Sequence, residues 1–257
     1  SLIDASGMTL ESRIHTSDGY TRTKEADGSL AEFLRNYAME PDQSPVLLYD
    51  GSKKRNQKAH VAVFDLPLEH EDLQQCADSA IRVYAEYFWS TKQYDRIAFH
   101  FTNGFDAQYT KWADGYRIRV NGNNVSWIKS AQPDTSYDSL KDYLRIVFSY
   151  AASMDTEAQP IPLSDLQVGD VFLKGGNPGH VVMVVDLCEN ADGKKAFLLA
   201  QGYMPAQQFH VLKNPAHEDD PWYYEDEVTY PFHTPEYTFQ KGSLKRLNYG
   251  ITHTAPE

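Results

Sequence analysis

Residues 166–186, LQVGDVFLKGGNPGHVVMVVD, constrain the fold more than any other part of this chain. Val168, Val171 and Leu173 punctuate the first half. Residues 181–185 form an unbroken apolar run, the pattern of a strand buried on both faces. Gly175, Gly176, Pro178 and Gly179 break the chain between the halves, as a tight loop requires. A third strand follows in AFLLAQGY, residues 196–203. The segment therefore predicts strand, turn, strand, turn, strand. His180 stands at the entrance of the second strand and Gln201 at the exit of the third. The loop is no phosphate cradle, because KGGNPGH lacks the GK[ST] ending and leads into a strand rather than a helix.

A histidine on a rigid strand with an amide one strand away is a mounting for a catalytic base and its orienting partner. Such a pair needs a nucleophile, and Cys76 is the candidate. It lies in DLQQCADSAIRVYAEYF, residues 72–88, where Leu73, Cys76, Ala80, Val83, Tyr84 and Tyr87 share one helical face. A helix N-terminus or a neighbouring imidazole lowers a thiol's pKa, and a free N–H at that helix end can form half of an oxyanion hole. The competing readings are structural. A free cysteine on an apolar face is commonly core, a polar residue after a Pro-Gly turn commonly just begins a strand, and glutamines ahead of a helix, such as Gln74 and Gln75, are usually surface.

Composition narrows the classes. The net charge of −12, from 36 acidic and 24 basic residues, argues against nucleic acid or an anionic membrane surface as partner. No apolar run approaches the ~20 residues of a membrane-spanning helix. The first residue is Ser1 rather than Met, which fits a trimmed leader or an expression boundary. Two cysteines, Cys76 and Cys188, leave a disulfide open, with Cys188 expected near the surface. There is no HExxH, no GxSxG elbow and no twelve-residue calcium loop around Glu218, Asp219 and Asp220. No cofactor or metal is implied. Trp112, Trp127, Trp222 and the many tyrosines read mainly as packing.

Elsewhere, residues 1–28 are weakly patterned and read as an ordered arm or frayed terminus. Ser29 caps a short helix over 30–38. Residues 45–51 and 59–66 read as strands of one antiparallel hairpin, with KKRNQK (53–58) as its solvated tip. Strands are expected at 96–104, 116–120 and 209–212, and the clearest helix at 137–152. The tail, with TPEYTF and SLKRLNY, adds a last strand. The expected fold class is α+β. Residues 1–68 form an N-terminal elaboration (arm, short helix, hairpin) packed on a core over 69–257.

The order Cys76, His180, Gln201 and the segments VGDVFL, PGHVVMVVD and LLAQ resemble the papain-like NlpC-type cysteine peptidases and amidases. In that family a helix-borne cysteine precedes a GD-containing strand, a GHV strand and a third polar residue on the next strand. Over nearly its whole length, through DLQQCADSAIR, HFTNGF, PGHVVMVVD, AQGYMPAQ and DPWY, the chain also resembles an uncharacterised family of exported Gram-negative bacterial proteins. The resemblance implies a papain-like core of a helix-borne cysteine packed on an antiparallel sheet. It implies Cys76 as nucleophile, His180 as base and Gln201 as orienter. It further implies a thiol hydrolase cleaving an amide bond in a peptide or peptidoglycan-like substrate, in the periplasm or cell envelope, with a lipid anchor before trimming a possibility. The alternatives are a non-catalytic binding module on the same scaffold and a structural envelope protein with a Cys76–Cys188 disulfide.

Overall fold

A computed structural model describes residues 1–176 and 179–249. In chain order the first elements are α1 (Leu10–Arg13), β1 (Tyr20–Arg22), α2 (Leu30–Arg35), β2 (His60–Val63) and α3 (Cys76–Ser90). Then come β3 (Ala98–His100), β4 (Asp106–Gln108), α4 (Tyr109–Ala113), β5 (Tyr116–Asn121), β6 (Asn124–Lys129) and α5 (Tyr137–Tyr150). The rest is strand: β7 (Ala158–Pro160), β8 (Val171–Lys174), β9 (His180–Asn190), β10 (Lys195–Gln201), β11 (His210–Leu212), β12 (Tyr223–Tyr224), β13 (Phe232–His233), β14 (Thr238–Phe239) and β15 (Leu244–Leu247). The class is mixed α/β, mostly antiparallel sheet with few helices.

Contacts divide the described chain into two units, residues 1–80 with 158–247, and residues 81–157 with the tail from 248. The expected N-terminal elaboration, 1–68, lies wholly within the first. That unit holds a nine-stranded sheet ordered β2-β11-β10-β9-β8-β15-β7, with β1 also paired to β9 and β12 to β10. β8, β9 and β10 are consecutive antiparallel neighbours, as the strand–turn pattern predicts. Every residue of 180–188 is buried, which is why the run carries no polar alternation. Phe172, Val182, Val184, Phe197, Leu199, Leu212 and Phe232 make the core of this unit.

Three expectations are corrected. The hairpin between 45–51 and 59–66 does not form. β2 pairs with β11 instead, Val63 opposite His210. Residues 46–54 close on themselves, Leu48 N–H bonding Ser52 C=O at 2.7 Å and Lys54 N–H bonding Val46 C=O at 2.9 Å. Cys188 is buried at 1 % exposure, and both cysteines are free thiols, so the disulfide reading falls. Gln74 is buried rather than a surface residue. The N-terminal arm is ordered: Thr9 and Ser12 form a reciprocal cap on α1, and Ser29 caps α2, its Oγ accepting the Glu32 N–H at 3.2 Å.

The second unit is built on α5, whose Tyr143 is fully buried and donates its hydroxyl to Ala107 C=O. Trp112 is buried with its indole N–H on Ser139 Oγ, and buried Arg82 bonds the Tyr137 hydroxyl. Trp222, in the first unit, is buried completely and donates to His15 C=O. Trp112 and Trp222 are therefore packing residues. No helix among the described residues is long and apolar enough to cross a membrane.

Candidate active site

The site is assembled within the first unit, from the first turn of α3 and the adjoining ends of β9 and β10. Two glycines permit it. A Cβ on Gly179 would lie 2.5 Å from Lys174 C=O and 2.6 Å from Gly176 C=O, so only glycine fits the turn that launches His180. A Cβ on Gly202 would lie 2.1 Å from Ser79 Oγ and 3.0 Å from Ser79 Cβ. Gly202 thus lets the first turn of α3 press directly on the end of β10, one residue past Gln201.

Cys76 is the first residue of α3. Gln75 N–H donates to Asp78 Oδ2 at 3.3 Å, and Ser79 N–H and Oγ both bond Gln75 C=O, at 3.0 and 2.9 Å, so the helix start is closed on itself. His180 is buried at 2 % exposure among aromatic rings, with Tyr203 at 4.4 Å and Tyr237 at 5.0 Å between centroids. Its Nε2 lies 2.7 Å from Gln201 Oε1. The structure therefore brings His180 and Gln201 into direct contact. Cys76 lies beside the residue after His180, close enough for the Val181 N–H to act on its thiol, and close enough to Tyr203 to act on that phenol. Asp186, a second possible orienter on the same strand, faces elsewhere and pairs with Arg22 and Arg35.

Electrostatics favour a neutral resting pair. Burial pushes the Cys76 thiol above its ordinary value, helped by the Asp78 carboxylate and opposed by the backbone N–H groups of the helix start and of Val181. Burial lowers His180 to about 4, although its bond to Gln201 and the charge of Glu236 pull the other way. At neutral pH burial thus favours a protonated thiol beside an unprotonated imidazole. Asp78 is itself raised to about 7 by burial, against the bond from Gln75 N–H that lowers it.

This gives a prediction with a defined pH window. Asp78→Asn keeps an acceptor for Gln75 N–H but removes the charge. Above pH 7, where Asp78 is ionised, the variant's Cys76 should react with iodoacetamide faster than wild type, by about 3- to 10-fold at pH 8.5. At pH 5.5, where Asp78 is protonated, the two rates should coincide. Equal rates at both pH values would show that Asp78 does not govern the thiol.

Three further residues escaped the sequence reading. Gln201 Nε2 donates to Glu236 Oε1 at 2.9 Å and lies 3.3 Å from His210 Nε2. Glu236 also accepts from Lys54 Nζ, and Lys54 is only 8 % exposed. Lys54 belongs to KKRNQK, read above as a solvated tip. It is drawn inward by its ion pair with the half-buried Glu236 carboxylate. A cleft of about 410 Å³ opens beside these groups, lined by Lys54, Arg55, Tyr203, Pro205, Gln207 and Glu236 among others.

Taken as a class, the protein is a mixed α/β chain whose mainly antiparallel sheet carries a histidine–glutamine pair at the ends of two adjacent strands. The family model described as Domain of unknown function (4846) matches residues 10–246, and the chain belongs to that family. No curated protein and no solved structure matches it.

Proposed function

We propose that this chain is a thiol hydrolase of the papain-like, NlpC-type kind, exported to the cell envelope, and that it cleaves an amide bond in a cell-wall peptide. The observation that carries the reading is the buried His180–Gln201 hydrogen bond beside a cysteine that opens a helix. In this reading substrate enters the cleft next to Tyr203. The Cys76 thiol passes its proton to His180 as the sulfur attacks the amide carbonyl carbon, forming a C–S bond and a tetrahedral oxyanion. N–H groups at the start of α3 face that charge. Collapse breaks the C–N bond, and His180 returns the proton to the departing amine. Water, deprotonated by His180, then breaks the thioester and frees the acid and the thiol. The neutral resting pair suits this sequence, since His180 must be unprotonated to take the first proton.

The test is incubation of the protein with defined stem peptides, with products and covalent protein followed by mass spectrometry. Release of an amine together with an acyl adduct on Cys76 is the expected result. The raised thiol favours one rival, a binding module on the same scaffold. Tight peptide binding with no cleavage and no adduct would establish that rival instead.

A further inference from the structure

The hydrogen-bond chain behind Gln201 determines which nitrogen of His180 carries the proton. His210 Nδ1 lies 2.9 Å from Gln208 C=O. A carbonyl only accepts, so Nδ1 bears the hydrogen and Nε2 of His210 is a bare acceptor. Glu236 Oε1, held by Lys54, is the second acceptor. Both face the same atom of Gln201, at 3.3 and 2.9 Å, and an amide nitrogen has two hydrogens to give. The amide can satisfy both only with its NH2 turned toward them, which leaves Oε1 toward His180. That oxygen accepts, so His180 Nε2, 2.7 Å away, must donate. Burial makes the alternatives costly: Gln201 is 1 % exposed and His210 fully buried, so a flipped amide would set its oxygen against the Glu236 carboxylate and leave His210 Nε2 without a donor.

We propose that Glu236 and His210 are positioning residues of this site: through the Gln201 amide they hold His180 as its Nε2–H tautomer and leave Nδ1 as the basic nitrogen. Strands β10 and β11 supply the frame, Gln201 standing directly opposite His210 in their register. Lys54 Nζ, bonded to Glu236 Oε1, holds that carboxyl group in place. The inference deepens the hydrolase reading only in its consequence, that Nδ1 is the nitrogen available to Cys76; the tautomer itself follows from the donors and acceptors. The charged and titratable groups around His180 are Glu236, Lys54, Tyr203, Tyr237 and His210.

Long-range 15N–1H correlation NMR on histidine-labelled protein at pH 7 reads the tautomer directly, without a substrate. Wild type should show His180 with a protonated Nε2 and an unprotonated Nδ1. Glu236→Gln should keep that pattern, because its carbonyl oxygen still accepts from both Lys54 and Gln201. The paired change Lys54→Met with Glu236→Met removes the acceptor without stranding a charge, and adding His210→Phe removes the second. These variants should lose the single form and show a mixture of tautomers, with kcat lowered and KM held. A wild-type His180 protonated at Nδ1 overturns the proposal even if no variant folds, as does an unchanged Nε2–H form in the triple variant. Absence of any amidase activity in a protein with the expected tautomer would instead overturn the hydrolase reading alone.

Discussion

Cys76→Ser should abolish amide cleavage, by about 10³-fold or more, while leaving the melting temperature within about 2 °C of wild type. The two halves of that expectation have separate physical origins. Serine keeps the shape of the side chain but not the acidity or nucleophilicity of sulfur, so proton transfer to His180 no longer yields a competent nucleophile. The stability term is small because Cys76 is only half-buried at the first position of α3 and its neighbours there are backbone N–H groups. Those groups serve a hydroxyl as well as a thiol. A core cysteine would behave differently. A hydroxyl set into an apolar core costs about 1–3 kcal/mol, and each kcal/mol lowers the melting temperature of a domain this size by about 2–4 °C. Cys188, at 1 % exposure with its thiol pushed up to about 12 by burial, supplies the internal control. Cys188→Ser should lose stability and keep activity, the reverse of Cys76→Ser. A Cys76→Ser protein that is as active as wild type, or that unfolds as readily as Cys188→Ser, removes Cys76 from the chemistry.

Part of this site was legible because its signals are local. Residues 181–185 are apolar without alternation, which reports a strand buried on both faces, and the glycines before them report the turn. His180 and Gln201 stand out as polar residues at the ends of such strands. The rest was not legible because it depends on partners rather than on local burial. Val61, Ala62 and Val63 declare a strand but not whether it pairs with 45–51 or with 210–212, and β2 in fact lies against β11. Lys54 sits in a run of charges whose composition reads as solvated, and its burial follows from Glu236, 182 residues later. Nothing near Glu236 in TPEYTF distinguishes it from a surface carboxylate. His210 is one of nine histidines and acquires its role from standing opposite Gln201. Nucleophile, base and orienter could thus be nominated from sequence, whereas the groups that fix the amide could not.

The largest effect on stability is expected far from the thiol, where the N-terminal arm is fastened to β9. Asp186 is completely buried. Its Oδ2 accepts from Arg22 Nε at 2.8 Å and its Oδ1 from Arg35 Nε at 2.9 Å and from Leu187 N–H at 2.9 Å. The arginines carry the tie outward. Arg22 reaches Ile14 C=O, and Arg35 reaches Thr23 C=O and Leu187 C=O, so one carboxylate joins α2, β1 and the end of α1 to the central strand. Asp186→Ala leaves two guanidinium groups facing a buried gap with no anion. Breaking a buried pair on one side in this way costs about 3–5 kcal/mol, a fall of roughly 10 °C in melting temperature at 2–4 °C per kcal/mol. The charge itself is not what stabilises, since burying three ionised groups is expensive. A combined Asp186→Leu, Arg22→Met, Arg35→Met protein should therefore recover most of the loss, because no group is left without its partner. Hydrogen exchange locates the effect: in Asp186→Ala, the amides of β1 and of Thr23, whose N–H bonds Leu187 C=O at 3.1 Å, should exchange before those of β10. A loss below about 1 kcal/mol in Asp186→Ala, or a triple variant no more stable than the single one, would mean that the arm is held by its apolar contacts and that the arginine–aspartate cluster contributes only to its register.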